Sequence, residues 1–387
     1  MKKALFLSHV PVFPEIGGDR IRIAQSLRLL SEIYYVDVVY MTNFTENVSV
    51  RQHVPSVRKE RFFYSPKIKR YFRALKTVIN GRPLIENLYL NPEMARHIRE
   101  VYEEYDLIFC ASPAVAQYVI GLRHPHKVID LTDSLSMNRH NAMQKAKGLR
   151  RWLYKVDFKR MKNFETRTRN YFDSIAYISE TDRNYIDAAG GKTHIVVNAV
   201  SPFSGKMSDC NVGEKHLVFV GKMDYEPNVL ASTFFATKVM PILREEIPGI
   251  RFSIVGIAPS KSVLELGKLP GVKVTGYVES LDEWFEKASL FVAPMLSGSG
   301  VQNKILQALT HGCGVLTTPI GKEGIECLED VIMVVDPRPS EWASRIKEIF
   351  INPVEIKEKA LRAPGKVEQE FGIDVVRRQF HKFISQV

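Results

Sequence analysis

Leu290-Phe291-Val292-Ala293-Pro294-Met295-Leu296-Ser297-Gly298-Ser299-Gly300-Val301-Gln302-Asn303-Lys304-Ile305-Leu306-Gln307-Ala308-Leu309 is the stretch on which the reading of this chain turns. The apolar run Leu290 to Ala293 predicts a short buried strand, the glycines and serines after it predict a turn, and a helix begins near Val301. At such a helix start the backbone N–H groups of Gly300, Val301 and Gln302 point outward. Lys304 falls in the first turn, where its charge opposes the helix dipole, so its presence asks for a reason. An anionic ligand at the helix head supplies one. Lys304 and Gln307 lie three apart on one helix face and can meet the phosphate and ribose of one nucleotide. A glycine turn that only caps a helix is the alternative.

The same alternation of short apolar runs and amphipathic stretches extends in both directions, which is the pattern of parallel strands joined by helices. Upstream of residue 200 it predicts strands at Lys3–Ser8, Tyr35–Met41, Leu107–Ala111, Lys127–Leu131, Ser174–Ile178 and His194–Val197. After the polar, breaker-rich segment Ser201 to Ser208, strands recur at His216–Val220, Arg251–Val255, Val272–Thr275, Leu290–Ala293, Gly314–Thr317 and Val331–Val335. Two doubly wound α/β domains are expected, residues 1–200 and 201–370, with a last helix in 371–387 packing back on the first. Such domains face each other across a cleft and bind ligands at the carboxyl ends of their strands.

Three further motifs fall at strand ends. Gly17-Gly18, between the first strand and first helix, lets backbone N–H groups approach a phosphate or sugar, or is simply a tight turn. It departs from GxGxxG, which disfavours a nicotinamide dinucleotide site. Val220-Gly221-Lys222-Met223-Asp224-Tyr225-Glu226-Pro227-Asn228 sets a lysine directly after a strand, with Gly221 allowing close approach of a diphosphate. Standing alone, Lys222 would read as a solvated loop lysine. Asp130 and Asp133 follow a buried strand of the first domain; Asp133 can reach a substrate hydroxyl as acceptor or base, and either carboxylate can instead cap a helix. His9 reads as a satisfied turn histidine near the cleft, and Ser179-x-x-Asp182 as a helix-capping start.

Composition bounds the partners. The 387 residues carry 54 Lys+Arg and 43 Asp+Glu, a formal net charge of +11. Residues 1–200 hold 32 of the cations and 20 of the anions, so the whole excess lies in the first half. That asymmetry marks a surface for an anionic partner. Two basic stretches, 51–76 and 139–169, are interleaved with aromatics, and Arg70, Arg73, Arg150, Arg151 and Trp152 are candidates for contact with an acceptor or an anionic membrane; solvated helix faces are the alternative. No RNA- or DNA-binding module is visible. No apolar run reaches the ~18 residues of a membrane span, and Ser8-His9, Pro11 and Pro14 interrupt a signal-peptide reading. Cys110, Cys210, Cys313 and Cys327 lack metal or disulfide spacing and suit a reduced, cytoplasmic protein, which the basic stretches would make peripheral at the inner membrane face.

The ordered set of the Gly17-Gly18 loop, Val220-Gly221-Lys222-Met223-x-Tyr225-x-Pro227-Asn228, Gly300-Val301-Gln302-Asn303-Lys304-Ile305-Leu306-Gln307-Ala308 and Thr318-Pro319-x-Gly321-x-Glu323-Gly324-Ile325 resembles the bacterial group 1 glycosyltransferases, retaining enzymes of family four. The resemblance spans nearly the whole chain and is most specific in the second domain. It implies a GT-B fold of two Rossmann-like domains, the first binding the acceptor and the second a nucleotide sugar. It also implies hexose transfer without metal or cofactor, the nucleotide diphosphate sugar being a co-substrate. By it Lys222 and Lys304 bind the donor diphosphate, Gly17, Gly18, Gly221 and the loop Ser299, Gly300, Val301, Gln302 and Asn303 cradle the donor, and Gln307 contacts ribose. Ser299 and Gln307 stand where the family has two glutamates, and no DxD motif occurs. The acceptor would be a glycan or a polyprenyl-linked glycan in surface polysaccharide assembly. A nucleotide-sugar epimerase of the same build, or an inactive sugar-nucleotide or membrane-binding scaffold, is the other reading.

Overall fold

A computed structural model describes residues 2–15, 17–44, 48–75, 77, 81–124, 126–186, 192–298 and 300–385. The chain divides into two compact units, Met1–Asn198 with Val376–Val387, and Ala199–Val375.

The first unit is built on a sheet of β1 (Lys3–Ser8), β2 (Tyr35–Thr42), β3 (Val57–Tyr64), β4 (Leu107–Cys110), β5 (Lys127–Thr132), β6 (Ser174–Tyr177) and β7 (Thr193–Ile195), in the spatial order β3-β2-β1-β4-β5-β6-β7. Every pairing is parallel. Leu5, Phe6, Leu7, Ile108 and Phe109 are fully buried, because a parallel sheet is covered on both faces and its inner strands read as unbroken apolar runs. The helices that matter here are α1 (Gly18–Ser31), α2 (Lys67–Leu75), α3 (Leu135–Lys145) and α4 (Gly148–Thr168).

β3 corrects the helix-face alternative offered for the basic stretch 51–76. Val57-Arg58-Lys59-Glu60-Arg61-Phe62-Phe63-Tyr64 is an edge strand that buries only Val57 and Phe63. Its charged groups are used locally: Arg58 donates to Asp37 at 2.8 Å, and Glu60 accepts from the Tyr40 hydroxyl at 2.9 Å and from Ser49 at 2.8 Å. Charges along an outer strand also discourage pairing with another chain.

The C-terminal helix Ile373–Ser385 completes this unit. Phe380 and Phe383 lie 5.8 and 6.0 Å from the Phe109 ring, and Ser174 donates to the Phe383 carbonyl at 2.6 Å. A buried ion pair ties α1 to the sheet: Arg22 meets Asp130 at 2.7 and 3.1 Å and also donates to the Val196 carbonyl and Asn198.

The second unit contains β8 (His216–Val220), β9 (Arg251–Val255), β10 (Val272–Gly276), β11 (Leu290–Ala293), β12 (Val315–Thr317) and β13 (Met333–Val334), ordered β10-β9-β8-β11-β12-β13 and parallel throughout. The helices α5 (Glu226–Phe234) and α6 (Asn303–Thr310) follow β8 and β11. Trp342 is fully buried, edge-on to Phe235 at 5.5 Å. Cys110, Cys210 and Cys313 are buried free thiols and Cys327 an exposed one. In each sheet the strand order reverses once, between β1 and β4 and between β8 and β11. A doubly wound sheet opens a crevice at its carboxyl edge where this happens, since the connections on either side depart in opposite directions.

Candidate functional site

At the second unit's switch point the loop after β8 carries Lys222 and the first turn of α6 carries Lys304, and Asn228 at the head of α5 links them. Its Nδ2 donates to the Lys222 carbonyl at 3.0 Å, while its Oδ1 accepts from Lys304 Nζ. Gly221 is required beneath it, for a Cβ there would lie 2.6 Å from Asn228 Nδ2. Gly256 (φ +142°) admits the Gly221 carbonyl at a spot where a Cβ would come within 1.8 Å. The loop after β8 is therefore held close to β9 by two residues without side chains.

Lys304 occupies an environment that sequence could not disclose. Besides Asn228, its Nζ has the Met295 sulfur at 3.7 Å and the centroid of the Phe219 ring at 5.1 Å. Among the described residues no carboxylate pairs with it. Desolvation lowers its pKa from 10.5 to about 7, because taking an ammonium out of water without a counter-charge disfavours the protonated form. Lys222 contrasts with it. About half exposed, its Nζ sits 3.4 Å from Asp224, itself half exposed, and such a pair exchanges readily for another anion.

The α6 head has no side-chain cap. Gln302 stands at the N-cap with φ −84° and ψ 88° and makes no capping hydrogen bond through its side chain; its Nε2 turns back to the Gly300 carbonyl at 3.3 Å. Gly298 and Gly300 have φ of +138° and +69°, which glycine adopts without strain. Ser299 lies outside the described residues. Val301 is buried under this turn, and Gly324 packs against it so closely that a Cβ would meet Val301 Cγ2 at 2.9 Å. Thr317 and Thr318 donate to the carbonyls of Ala293 and Met295 at 2.9 and 2.7 Å, fixing the loop from below. Asn303 opens α6, and Gln307 lies one turn on, half-buried, its carbonyl accepting from His311 Nδ1 at 2.7 Å.

The first unit's switch point is bridged by His9, which follows β1, and Ser112, which follows β4, at 2.8 Å. The His9 ring meets Tyr89 edge-on at 4.8 Å, and the Arg70 guanidinium lies over the Tyr89 ring at 5.1 Å from its centroid. Burial lowers the His9 pKa to about 4, with Arg70 and Arg20 acting in the same direction and Asp19 against it, so the imidazole is neutral and one nitrogen remains for a ligand. Gly17 (φ +99°) is the N-cap of α1 and Gly18 its first residue, with Asp19 in the first turn.

The other sequence candidates divide. Asp130 lies within β5 and does not follow it; it is the buried partner of Arg22 and also accepts from the Thr132 N–H at 3.0 Å, so it braces the end of that strand. Asp133 accepts from Asn138 at 2.6 Å and is not a helix cap, for Ser134 caps α3 through Met137. Arg70 and Arg73 turn onto the β3–α2 turn: Arg70 donates to the Ser65 carbonyl at 3.1 Å, Arg73 to Ser65 Oγ at 3.1 Å. A groove of about 470 Å³ beside them is lined by Tyr64, Lys69, Phe72, Arg73 and Asn91. Arg150, Arg151 and Trp152 are exposed at the head of α4. Sequence reasoning missed Glu165, a fully buried carboxylate on α4 that accepts from the amides of Leu135 at 2.7 Å and Ser136 at 3.3 Å. Desolvation pushes its pKa up to about 7 despite those donors. A larger groove, about 790 Å³, lies at the opposite end of the second sheet, where His216, Arg251 and Val272 begin their strands. Among the described residues no three His, Cys, Asp or Glu side chains converge as metal ligands, and no helix is long and apolar enough to cross a membrane.

Against this geometry the comparisons with known proteins are specific. Residues 214–352 match the family model described as Glycosyl transferases group 1. A Klebsiella pneumoniae protein described as an uncharacterized 44.6 kDa protein in the cps region is 22% identical over 394 residues, covering 96% of this chain and 97% of that one. Among solved structures, Anabaena HepE in complex with UDP and glucose superposes with a TM-score of 0.70 at 15% identity over all of both chains. Sucrose-phosphate synthase from Thermosynechococcus elongatus gives 0.74 at 15% identity over 98% of each. WaaG, a glycosyltransferase involved in lipopolysaccharide biosynthesis, gives 0.67 at 14% identity over 99% of this chain and 100% of that one. The chain thus has the GT-B fold, two Rossmann-like parallel α/β units, and Lys222, Asn228 and Lys304 lie within the segment that matches the group 1 glycosyl transferase model.

Proposed function

We propose that the protein transfers a sugar from a nucleoside diphosphate sugar to a glycan or lipid-linked glycan, with retention of anomeric configuration, in the assembly of a surface polysaccharide. The observation that carries this reading is Lys304, a desolvated ammonium with no carboxylate partner among the described residues, at the uncapped head of α6 on a topological switch point. UDP bound to Anabaena HepE and the cps-region setting of the Klebsiella relative support the donor class and the polysaccharide context.

The chemistry follows from the leaving group. Cleavage of a sugar–phosphate bond builds negative charge on the departing diphosphate, and fixed donors aimed at that charge stabilise the transition state more than the ground state. Lys304 is partly buried and held by Asn228, so little reorganisation is needed when the charge develops. Lys222 supplies a second, mobile cation, and the amides of Gly300, Val301, Gln302 and Asn303 supply partial positive charge. Gln307 can both donate to and accept from ribose hydroxyls. On the first unit, Asp133 is the residue assigned to the acceptor hydroxyl.

Incubation with a panel of nucleotide sugars and lipid-linked acceptors should give product whose new bond keeps the donor's configuration. Lys304→Ala and Asp133→Asn should each lower transfer at least about a hundredfold while the protein stays folded. Full activity in both would remove the site assignment. Gln307 and Ser299, standing where the family has glutamates, favour a second reading, an inactive nucleotide-sugar-binding scaffold; donor binding with no turnover on any acceptor would support it.

A further inference from the structure

Helices α3 and α4 form an antiparallel hairpin joined through Ala146 and Lys147, and from Lys147 to Leu153 every residue is exposed. Gly148 (φ +56°) makes the turn, and a Cβ on it would touch nothing within 4 Å. Gly148 to Leu153 are all exposed, so at about 1.5 Å per residue roughly 9 Å of helix stands clear of the core. On this tip Leu149, Trp152 and Leu153 are 73%, 53% and 44% exposed, and their i, i+3, i+4 spacing sets them on one stripe. Arg150 and Lys155 border the stripe, Lys147 precedes the helix and Arg151 lies on its other side, and all four are exposed on the tip. Between Lys147 and Phe164 the single acidic residue, Asp157, is engaged by Arg139 at 2.8 Å.

Two features of this tip are costly in water. Three large apolar side chains form an exposed stripe that the unit leaves uncovered. The first turn of α4 contains no acid and carries Arg150 and Arg151, against the helix dipole. Both costs are relieved by one kind of surface: hydrocarbon for the leucines and the indole, anionic headgroups for the cations and the positive helix end. A nucleic acid would satisfy the cations but not Leu149 and Leu153. A second copy of the tip would bring like charges together.

We infer that the α3–α4 hairpin tip is a membrane anchor that inserts Leu149, Trp152 and Leu153 into the interface of an anionic phospholipid bilayer, with Lys147, Arg150, Arg151 and Lys155 at headgroup level. Of the basic residues singled out in the sequence, Arg150 and Arg151 belong to this surface; Arg70 and Arg73, committed to Ser65, do not. The inference rests on this surface alone and is independent of the donor site.

The full chain should sediment with phosphatidylcholine vesicles containing phosphatidylglycerol and stay in solution with phosphatidylcholine alone. Brominated lipid should quench the emission of Trp152. Leu149→Ser/Trp152→Ser/Leu153→Ser should lower partitioning at least about thirtyfold with an unchanged melting temperature, since three exposed side chains lose their interfacial burial. Arg150→Ser/Arg151→Ser should lower it about ten- to thirtyfold and flatten its salt dependence. The inference is overturned by sedimentation of the apolar triple variant at the wild-type level, or by a wild-type chain that ignores anionic vesicles. Concentration-dependent self-association that the triple variant loses would assign the tip to a second copy instead, and displacement of the chain from vesicles by RNA would assign it to nucleic acid.

Discussion

Replacing Lys304 by methionine should stabilise the ligand-free protein and abolish its affinity for a nucleoside diphosphate. In the unfolded chain this lysine keeps its proton up to a pKa near 10.5, whereas in the fold it releases it near 7. Between those values the unfolded state binds more protons, so the stability of the wild type rises with pH from about 7 to about 10.5, and below 7 the whole desolvation cost is present. At about 1.4 kcal/mol per pKa unit that cost is at most roughly 5 kcal/mol, and loss of the Asn228 hydrogen bond offsets about 1 kcal/mol of any gain. Lys304→Met is therefore expected to be about 1–3 kcal/mol more stable than wild type at pH 6.5, with the difference shrinking toward pH 9. A bound diphosphate restores the counter-charge and returns the proton. Calorimetric titration of the wild type with UDP at pH 8.5, in buffers of different ionisation enthalpy, should thus show uptake approaching one proton per UDP. Destabilisation of Lys304→Met at pH 6.5, or UDP binding to the wild type without proton uptake, would refute the reasoning.

Asn228→Ala removes the link between the Lys222 carbonyl and Lys304 Nζ; transfer should fall roughly ten- to a hundredfold in kcat/KM with about 1–2 kcal/mol of lost stability, measured by steady-state kinetics and urea unfolding. Arg22→Met strands Asp130 in a site where both side chains are at most 3% exposed, and should cost about 3–5 kcal/mol in the same unfolding experiment. Glu165 titrates near 7 in the fold and near 4.5 when unfolded. The folded state therefore binds the extra proton between these values, and stability should fall, by at most roughly 3 kcal/mol, as pH rises from 4.5 to 7. Glu165→Gln should flatten that part of the melting-temperature profile, and an unchanged slope would exclude Glu165 as its source.

The parallel sheets were legible because their inner strands are covered on both faces, so Leu5-Phe6-Leu7 or Leu290-Phe291-Val292 could hardly be anything else. The edge strand β3 was not. Four of its eight residues, Arg58, Lys59, Glu60 and Arg61, are charged, and their partners Asp37, Tyr40 and Ser49 come from β2 and the loop after it, which no local pattern encodes. The short edge strands likewise ended earlier than their apolar runs: β13 keeps only Met333–Val334 of Val331–Val335. Gly221 could be read as a close approach, whereas what approaches it could not. The same holds for the Lys304 environment, where Phe219, Asn228 and Met295 arrive from three segments. Asn228 stood inside a quoted motif but gave no sign that its amide joins both lysine segments. Glu165 caps a helix some thirty residues upstream of it, and a carboxylate inside an otherwise basic helix carries no mark of that role.

A crystal structure of the protein grown with UDP tests the central claim most directly. The account predicts the diphosphate at the carboxyl edge of the second sheet, its oxygens within hydrogen-bond reach of Lys304 Nζ and of the amides that open α6, with Lys222 released from Asp224. UDP bound in the groove at the amino ends of β8, β9 and β10, or at no single place while Lys304 still rests on Asn228, would contradict it.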